Sequence, residues 1–528
     1  MTKTLAIFAV AICLSVPVSA NNGIGAAEKD TPQEAAERVL DKLYATAGNR
    51  RVTKPALRLT AENRKVAAYN PSKNTIFLDE KAYQICRAFG RDSLAALAFV
   101  IGHELAHAFQ SANRDGRQRT NFLAYDRAFP AATRFEKTAD IHGIFNAALA
   151  GYTATPKIAP PLIEQIYTRY ELVGKTLAAY PSLAERKTAA DEVAAIAQNL
   201  LDVFDASTYA LALGQHSVAA AGYEYILQFY RGREVLNNLG LCHVRAAQDF
   251  WNPRTDNYLL PLEADWKSSL DRAASSRGQE ATTDPLRRQK LERAAECFRE
   301  ALANDPDYAT AKINLVCTEI LADRPAQALA LWGEFFAPKN ARRKKPVDEK
   351  AQLARAVALA LQTGGTGEAR TVLTELARSR NRTTALFARQ NLLFMETGET
   401  DTSIGADIEL PQSFVALAKS TSLGKTADLP TLPLNESNGI AFRHGQQGNT
   451  ATFVFANPVG NLLSIVRFQN RVAAGVSVLP EGRTFDDDTF RNLLPARDGF
   501  YLRVPGEQVI VKADYRGNVL EIVRYFVH

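Results

Sequence analysis

Cysteine is scarce in this chain, five in 528 residues. That excludes a disulfide-dense scaffold, and no CxxC or metal-ligand spacing joins the five. Methionine occurs twice and tryptophan three times, and neither count narrows the function. An excess of one charge sign is missing as well. A formal charge of +6 over this length supplies no electrostatic case for nucleic-acid binding, so no nucleic-acid partner is expected. Beyond the N-terminus no apolar run approaches the length of a membrane helix, so the mature chain is expected to lack an integral span. The remaining composition, 46% apolar and 23% charged, is that of a globular protein. Disordered, collagen-like and multi-span membrane classes are thereby excluded. The length allows three or four domains at roughly 150 residues each.

Residues 1–20 read as a cleaved signal peptide. Lys3 supplies the basic start, Leu5 to Val16 the apolar stretch, and Val18-Ser19-Ala20 the small residues before cleavage after Ala20. Cys13 follows Ile12 and sits too early for lipidation. A periplasmic or secreted location follows. The four cysteines left, Cys86, Cys242, Cys297 and Cys317, are expected to be small buried apolar residues.

Residues 28–198 read as an α+β block. Thr31, Pro32 and Glu34 form a helix start with a capping box. Short strands are expected at 51–60 and 74–78, and helices at 92–113, 133–149, 160–179 and 183–198. Residues 200–420 read as helical throughout. Ala294, Phe298, Ala301 and Pro306 fall at the offsets of the second helix of a tetratricopeptide repeat, and Leu239 and Gly240 fit its first helix. Residues 249–284 read as a polar insertion, and Arg342 to Lys345 as a solvated basic loop. Residues 430–528 read as a small antiparallel β-rich domain, with Pro430 and Pro433 in the linker before it and His444 and His528 on its surface. The fold class expected is therefore multi-domain: an α+β domain, an all-α helical-repeat region and a small β-rich C-terminal domain.

The chemistry lies in Phe99 to His107, which contains His103-Glu104-Leu105-Ala106-His107. On a helix, residues four apart lie about 40° from one another and one turn along. Two imidazoles so placed can share one metal ion, and Glu104 beside them can act as a general base on water. The chain has only seven histidines, so two at this spacing on an apolar helix carry weight. Gln110 and Asn113 stand where the extended metzincin motif needs glycine and histidine, which excludes that class. Glu136 is the better candidate for a third ligand. Asp140, four residues on, shares its helix face and can orient a ligating histidine. His142 lies about 120° around that helix from Glu136 and reads as structural or as part of a cleft.

These segments together, IGHELAHAF, then FEKTADIHGIFNAALAGY, then YPSLAER, resemble the M48 family of zinc metallopeptidases. The resemblance covers roughly residues 35–198. It implies a gluzincin-type domain in which His103, His107 and Glu136 bind one Zn²⁺ per chain, Glu104 is the catalytic base and Asp140 supports a ligand. With the signal peptide and helical repeats, the layout is similar to periplasmic members of the family that carry a tetratricopeptide region. Two departures stand out. Tyr180 replaces the usual histidine of the last motif, while Pro181, Ser182 and Arg186 match it. The segment from Val66 to Leu78 lacks the family's glycine-containing pattern.

The function expected is an exported zinc endopeptidase acting on protein or peptide substrates, and the family layout it resembles implies a role in envelope protein quality control. Arg186 or Tyr180 would assist the tetrahedral intermediate, residues 74–78 would offer the substrate edge strand, and the repeats would hold an envelope protein partner. The alternative is a repeat-based binding or chaperone module whose peptidase domain is latent.

Overall fold

The computed structural model describes residues 31–61, 66–111, 130–173, 182–264, 268–269, 285–337, 347–399 and, from 431 to 527, the strands of a C-terminal sheet. The signal peptide, Tyr180, the basic run at 342–345 and His528 lie outside the described residues.

Helix α1 (Pro32–Ala47) begins as its capping residues require. The Thr31 hydroxyl accepts the Glu34 N–H, and the Glu34 carboxylate accepts the Thr31 N–H at 2.9 Å. Its apolar face, Val39, Leu40 and Leu43, is buried. Strands β1 (Ala56–Thr60), β2 (Ala67–Asn70) and β3 (Thr75–Asp79) form a three-stranded sheet in the order β1-β3-β2. β1 runs parallel to β3, and β2 antiparallel to it. β3 is therefore central, which corrects the expectation that residues 74–78 form an edge. The tight turn at Asn70–Asn74 folds β2 back onto β3, and β2 becomes the edge strand beside the next long helix. Short and alanine-rich, β2 carries little strand signal of its own.

Asp79 caps α2 (Glu80–Arg87), accepting the Lys81 N–H at 2.9 Å. Helix α3 (Ser93–Ser111) follows and is buried continuously from Ala95 to Ala108. A helix apolar all round belongs in a core, and here it is wrapped by α1, β2, α2, α4 (Pro130–Leu149) and α5 (Thr155–Arg169). α5 begins and ends earlier than expected. Pro156 suits its first turn, and Glu171, just past its end, takes a left-handed φ of 55°.

Helix α6 (Leu183–Ala212) starts at a Ser182–Glu185 capping box. It does not stop near Gln198 as expected. Leu200, Val203, Phe204 and Ala206 continue the buried stripe, so one helix serves both the α+β block and the helices after it. These are α7 (His216–Leu227), α8 (Arg233–Gln248), α9 (Pro285–Asn304), α10 (Ala309–Leu321), α11 (Pro325–Phe336), α12 (Glu349–Leu361), α13 (Thr366–Leu376) and α14 (Arg382–Thr397). Each packs on the next in chain order. Ala294, Phe298 and Ala301 of α9 are buried. A Cβ added at Gly240 of α8 would lie 2.7 Å from the Phe298 ring, so only glycine permits this approach. The described start of the polar insertion after α8 is pinned to α9. Arg287 grips both oxygens of buried Asp256, at 2.8 and 2.9 Å, and donates to the Phe250 and Leu321 carbonyls. A two-residue-stranded hairpin, β4 (Glu263–Ala264) with β5 (Ser268–Ser269), lies within it.

The C-terminal sheet has eight strands: β6 (Thr431–Asn435), β7 (Ile440–Gln447), β8 (Thr450–Ala456), β9 (Leu462–Gln469), β10 (Leu493–Ala496), β11 (Gly499–Arg503), β12 (Val509–Asp514) and β13 (Val519–Val527). All neighbours are antiparallel, in the order β10-β11-β12-β13-β9-β8-β7-β6. Two four-stranded meanders are thus joined where β13 pairs with β9. β6 and β10 escape the sequence reading because each contains a proline, Pro433 and Pro495. They are the two edge strands, where a missing N–H costs no ladder bond. His444 is not a free surface residue. Its Nε2 lies 2.7 Å from Asn199 Oδ1 and its Nδ1 3.3 Å from Asp202 Oδ2, both on α6. Among the described residues no helix is long and apolar enough to cross a membrane.

Candidate metal centre

Helices α3 and α4 touch backbone to backbone. A Cβ at Gly102 would lie 3.0 Å from the Gly143 carbonyl oxygen, and one at Gly143 only 2.7 Å from the His103 nitrogen. This contact stands next to His103 on one helix and three residues after Asp140 on the other. It draws the Glu136 face of α4 over the histidines of α3.

The three side chains then converge. His103 Nε2 and His107 Nε2 are 3.0 Å apart, and Glu136 Oε2 lies 3.2 Å from each. A tetrahedral ion with ligands at about 2.0 Å has edges of about 3.3 Å, so the spacing suits one small metal ion. Among the described residues this buried group of His103, His107 and Glu136 is the set able to hold a metal.

The hydrogen bonds behind the ligands select their tautomers. His103 Nδ1 lies 2.8 Å from Asp140 Oδ1, and His107 Nδ1 lies 2.9 Å from Gln110 Oε1. Each Nδ1 donates to oxygen, which leaves each Nε2 lone pair for the shared point. Charge points the same way. Glu104, Glu136 and Asp140 are all buried, and Arg186 is the one buried guanidinium among them. Three carboxylates against one guanidinium leave a deficit that a divalent cation matches. Burial alone would lower the His103 imidazole, but Asp140 and Glu136 push it up to about 10, so these carboxylates favour a positive charge at Nε2, for which a proton and a metal ion compete. Burial opposes ionisation of Glu136 and Asp140 too. Bonds to both histidines nevertheless hold Glu136 below its usual value, and Arg186 with His103 holds Asp140 well below the carboxylate range.

Glu104 lies between the histidines on α3, and its Oε2 accepts the Tyr69 backbone N–H of β2 at 2.7 Å. Burial, its largest influence, raises its carboxyl. The edge strand thus fixes the carboxylate beside the ligand atoms.

Arg186 has a partner that the sequence reading did not name. Fully buried on α6, it grips Asp140 through Nη1–Oδ2 at 2.9 Å and Nη2–Oδ1 at 3.2 Å. These two contacts brace Asp140. His142 is structural: its Nε2–H donates to the Phe229 carbonyl at 2.7 Å, and its ring meets Tyr230 edge-on. The four cysteines are buried and free, as expected. Sequence reasoning missed Gln110 as a partner of His107, although its place three residues on, one turn along the same helix, was a usable signal. It also missed Gly102 and Gly143, whose pairing needs the helix crossing itself.

No protein-family model matches this chain, and comparison with curated proteins and with solved structures finds no match.

Proposed function

We propose that this chain is an exported zinc-dependent endopeptidase of the M48 type. The observation that carries the reading is the buried convergence of His103, His107 and Glu136 with Glu104 fixed beside them. Two imidazoles and one carboxylate, with a fourth position left for water or substrate, are a donor set suited to catalytic zinc. A purely structural site has no use for the buried glutamate. Bound zinc would supply Lewis-acid polarisation of a water and of the scissile carbonyl.

The chain's own groups do the rest. Glu104 takes the proton from the attacking water and passes it to the departing amine. The Tyr69 N–H holds the Glu104 carboxylate in place for both transfers. Asp140 keeps His103 in the ligating tautomer, and Arg186 keeps Asp140 ionised and oriented. An extended substrate would pair along β2, the edge strand next to α3. The helices from α7 to α14 would offer a repeat-like surface for protein substrates, and the leader read in residues 1–20 would direct the chain to the periplasm or out of the cell.

Metal analysis paired with casein degradation tests this, on wild type and Glu104→Gln. We expect one zinc per chain in both, and hydrolysis reduced by about 10²–10⁴-fold in the variant. Full hydrolysis by Glu104→Gln, or a wild type without zinc, would falsify the reading.

A further inference from the structure

The geometry assigns Gln110 as a positioning residue for the metal site: it holds the His107 ring so that Nε2 faces the other ligands, and ties that ring to α4 beside Glu136. The inference rests on the metal reading given above and adds a residue to it.

Two contacts carry it. Gln110 Oε1 lies 2.9 Å from His107 Nδ1, and Gln110 Nε2 lies 3.3 Å from the Phe135 carbonyl oxygen. A carbonyl can only accept, so the amide NH₂ must face Phe135. The amide oxygen is thereby committed to His107, where it can only accept. Nδ1 must then carry the hydrogen and Nε2 the lone pair. One side chain thus selects the His107 tautomer using an anchor on the ligand helix opposite. Phe135 immediately precedes Glu136, so the same amide couples the second ligand to the backbone that carries the third.

The arrangement parallels that of the first ligand. His103 has Asp140, and Asp140 has Arg186. His107 has Gln110, and Gln110 has the α4 backbone. Each imidazole is therefore oriented by an acceptor that is itself held by a second group. Partners of this kind change metal affinity by about 10–100-fold when removed.

Three variants separate orientation from packing. Gln110→Met keeps the length and loses both bonds. Gln110→Ala removes the side chain beyond Cβ. Gln110→Glu keeps an acceptor for Nδ1 and loses the donor to Phe135. Zinc affinity is measured by chelator competition, the absorption bands of the Co²⁺-substituted protein report ligand geometry, and the unfolding of metal-free protein reports the fold. We expect Met and Ala to weaken zinc by about 10–100-fold with shifted Co²⁺ bands, while Glu, which keeps the acceptor for His107 but loses the tie to Phe135, falls between wild type and Met in both and metal-free unfolding is unchanged. The inference is overturned if Met and Ala bind zinc as wild type does, or if Glu loses as much as Met. A wild type that binds no zinc overturns the metal reading and this inference with it. Zinc in wild type with unaffected variants overturns this inference alone.

Discussion

At the scale of single residues, burial decides what a charged side chain can do here. Arg186 is fully buried and spent on Asp140. Removing one member of a buried ion pair strands the other charge, at about 3–5 kcal/mol. Arg186→Ala is therefore expected to lose that much stability in urea unfolding, along with zinc affinity. An arginine acting on the reacting carbonyl would behave oppositely, lowering turnover while leaving the unfolding midpoint in place. His103, Glu104, His107, Glu136 and Asp140 were all legible in the sequence, because helical spacing alone groups the first three on α3 and the last two on α4. What spacing could not supply was the inter-helix partner of each. Arg186 lies 46 residues from Asp140 in the chain, and no local pattern reports such a contact.

At the scale of elements, the contact between α3 and α4 sets the ligand geometry. Gly143→Ala would place a methyl group 2.7 Å from the His103 nitrogen. Overpacking of this kind costs about 1–3 kcal/mol. Because relief requires the helices to separate, zinc affinity is expected to fall together with stability; chelator competition and urea unfolding on the same samples check both. Helices α7 and α8 give a second expectation. Burial, with Arg245 and Lys290 nearby, pushes the His216 imidazole down to about 4. Burial, with Arg293 and Lys290, pushes His243 down to about 4. Above the ordinary value of 6.5 both are neutral in folded and unfolded chains. As pH falls from there toward about 4, the unfolded chain binds protons that the folded chain refuses, so stability drops. The loss is at most on the order of 3 kcal/mol for each. A double His216→Gln, His243→Gln variant should lose less stability than wild type over that window, measured by urea unfolding.

At the scale of the whole molecule, the α+β block and the helices after it are one packed body. Arg233 of α8 donates to the Ala45 carbonyl at 3.1 Å, Arg50 pairs with Asp307 at 3.0 Å, and Tyr230 meets Phe145 of α4 at 5.0 Å. His142 of α4 reaches Phe229, and α6 runs through both parts. A fragment of residues 28–198 would cut α6 before Leu200, Val203 and Phe204, and strip the cover from the outer face of α4. It should fail to unfold cooperatively, whereas a fragment carried through Gln248 should do so; calorimetry of the two decides.

The sequence by itself determined which residues form the candidate centre, that two helices carry them, and that an α+β block, a helical region and a β-rich segment follow one another. Those are matters of local spacing, capping and composition, which act over a few residues. Tertiary structure alone decided that β3 is central and β2 an edge strand, that two proline-bearing strands close the ends of the C-terminal sheet, and that α6 has no break at 198. It also brought Asp140 to Arg186, His107 through Gln110 to Phe135, and Gly102 to Gly143. Each of these depends on which surfaces meet after the chain has folded back over tens of residues, and packing complementarity of that range leaves no periodicity along the sequence.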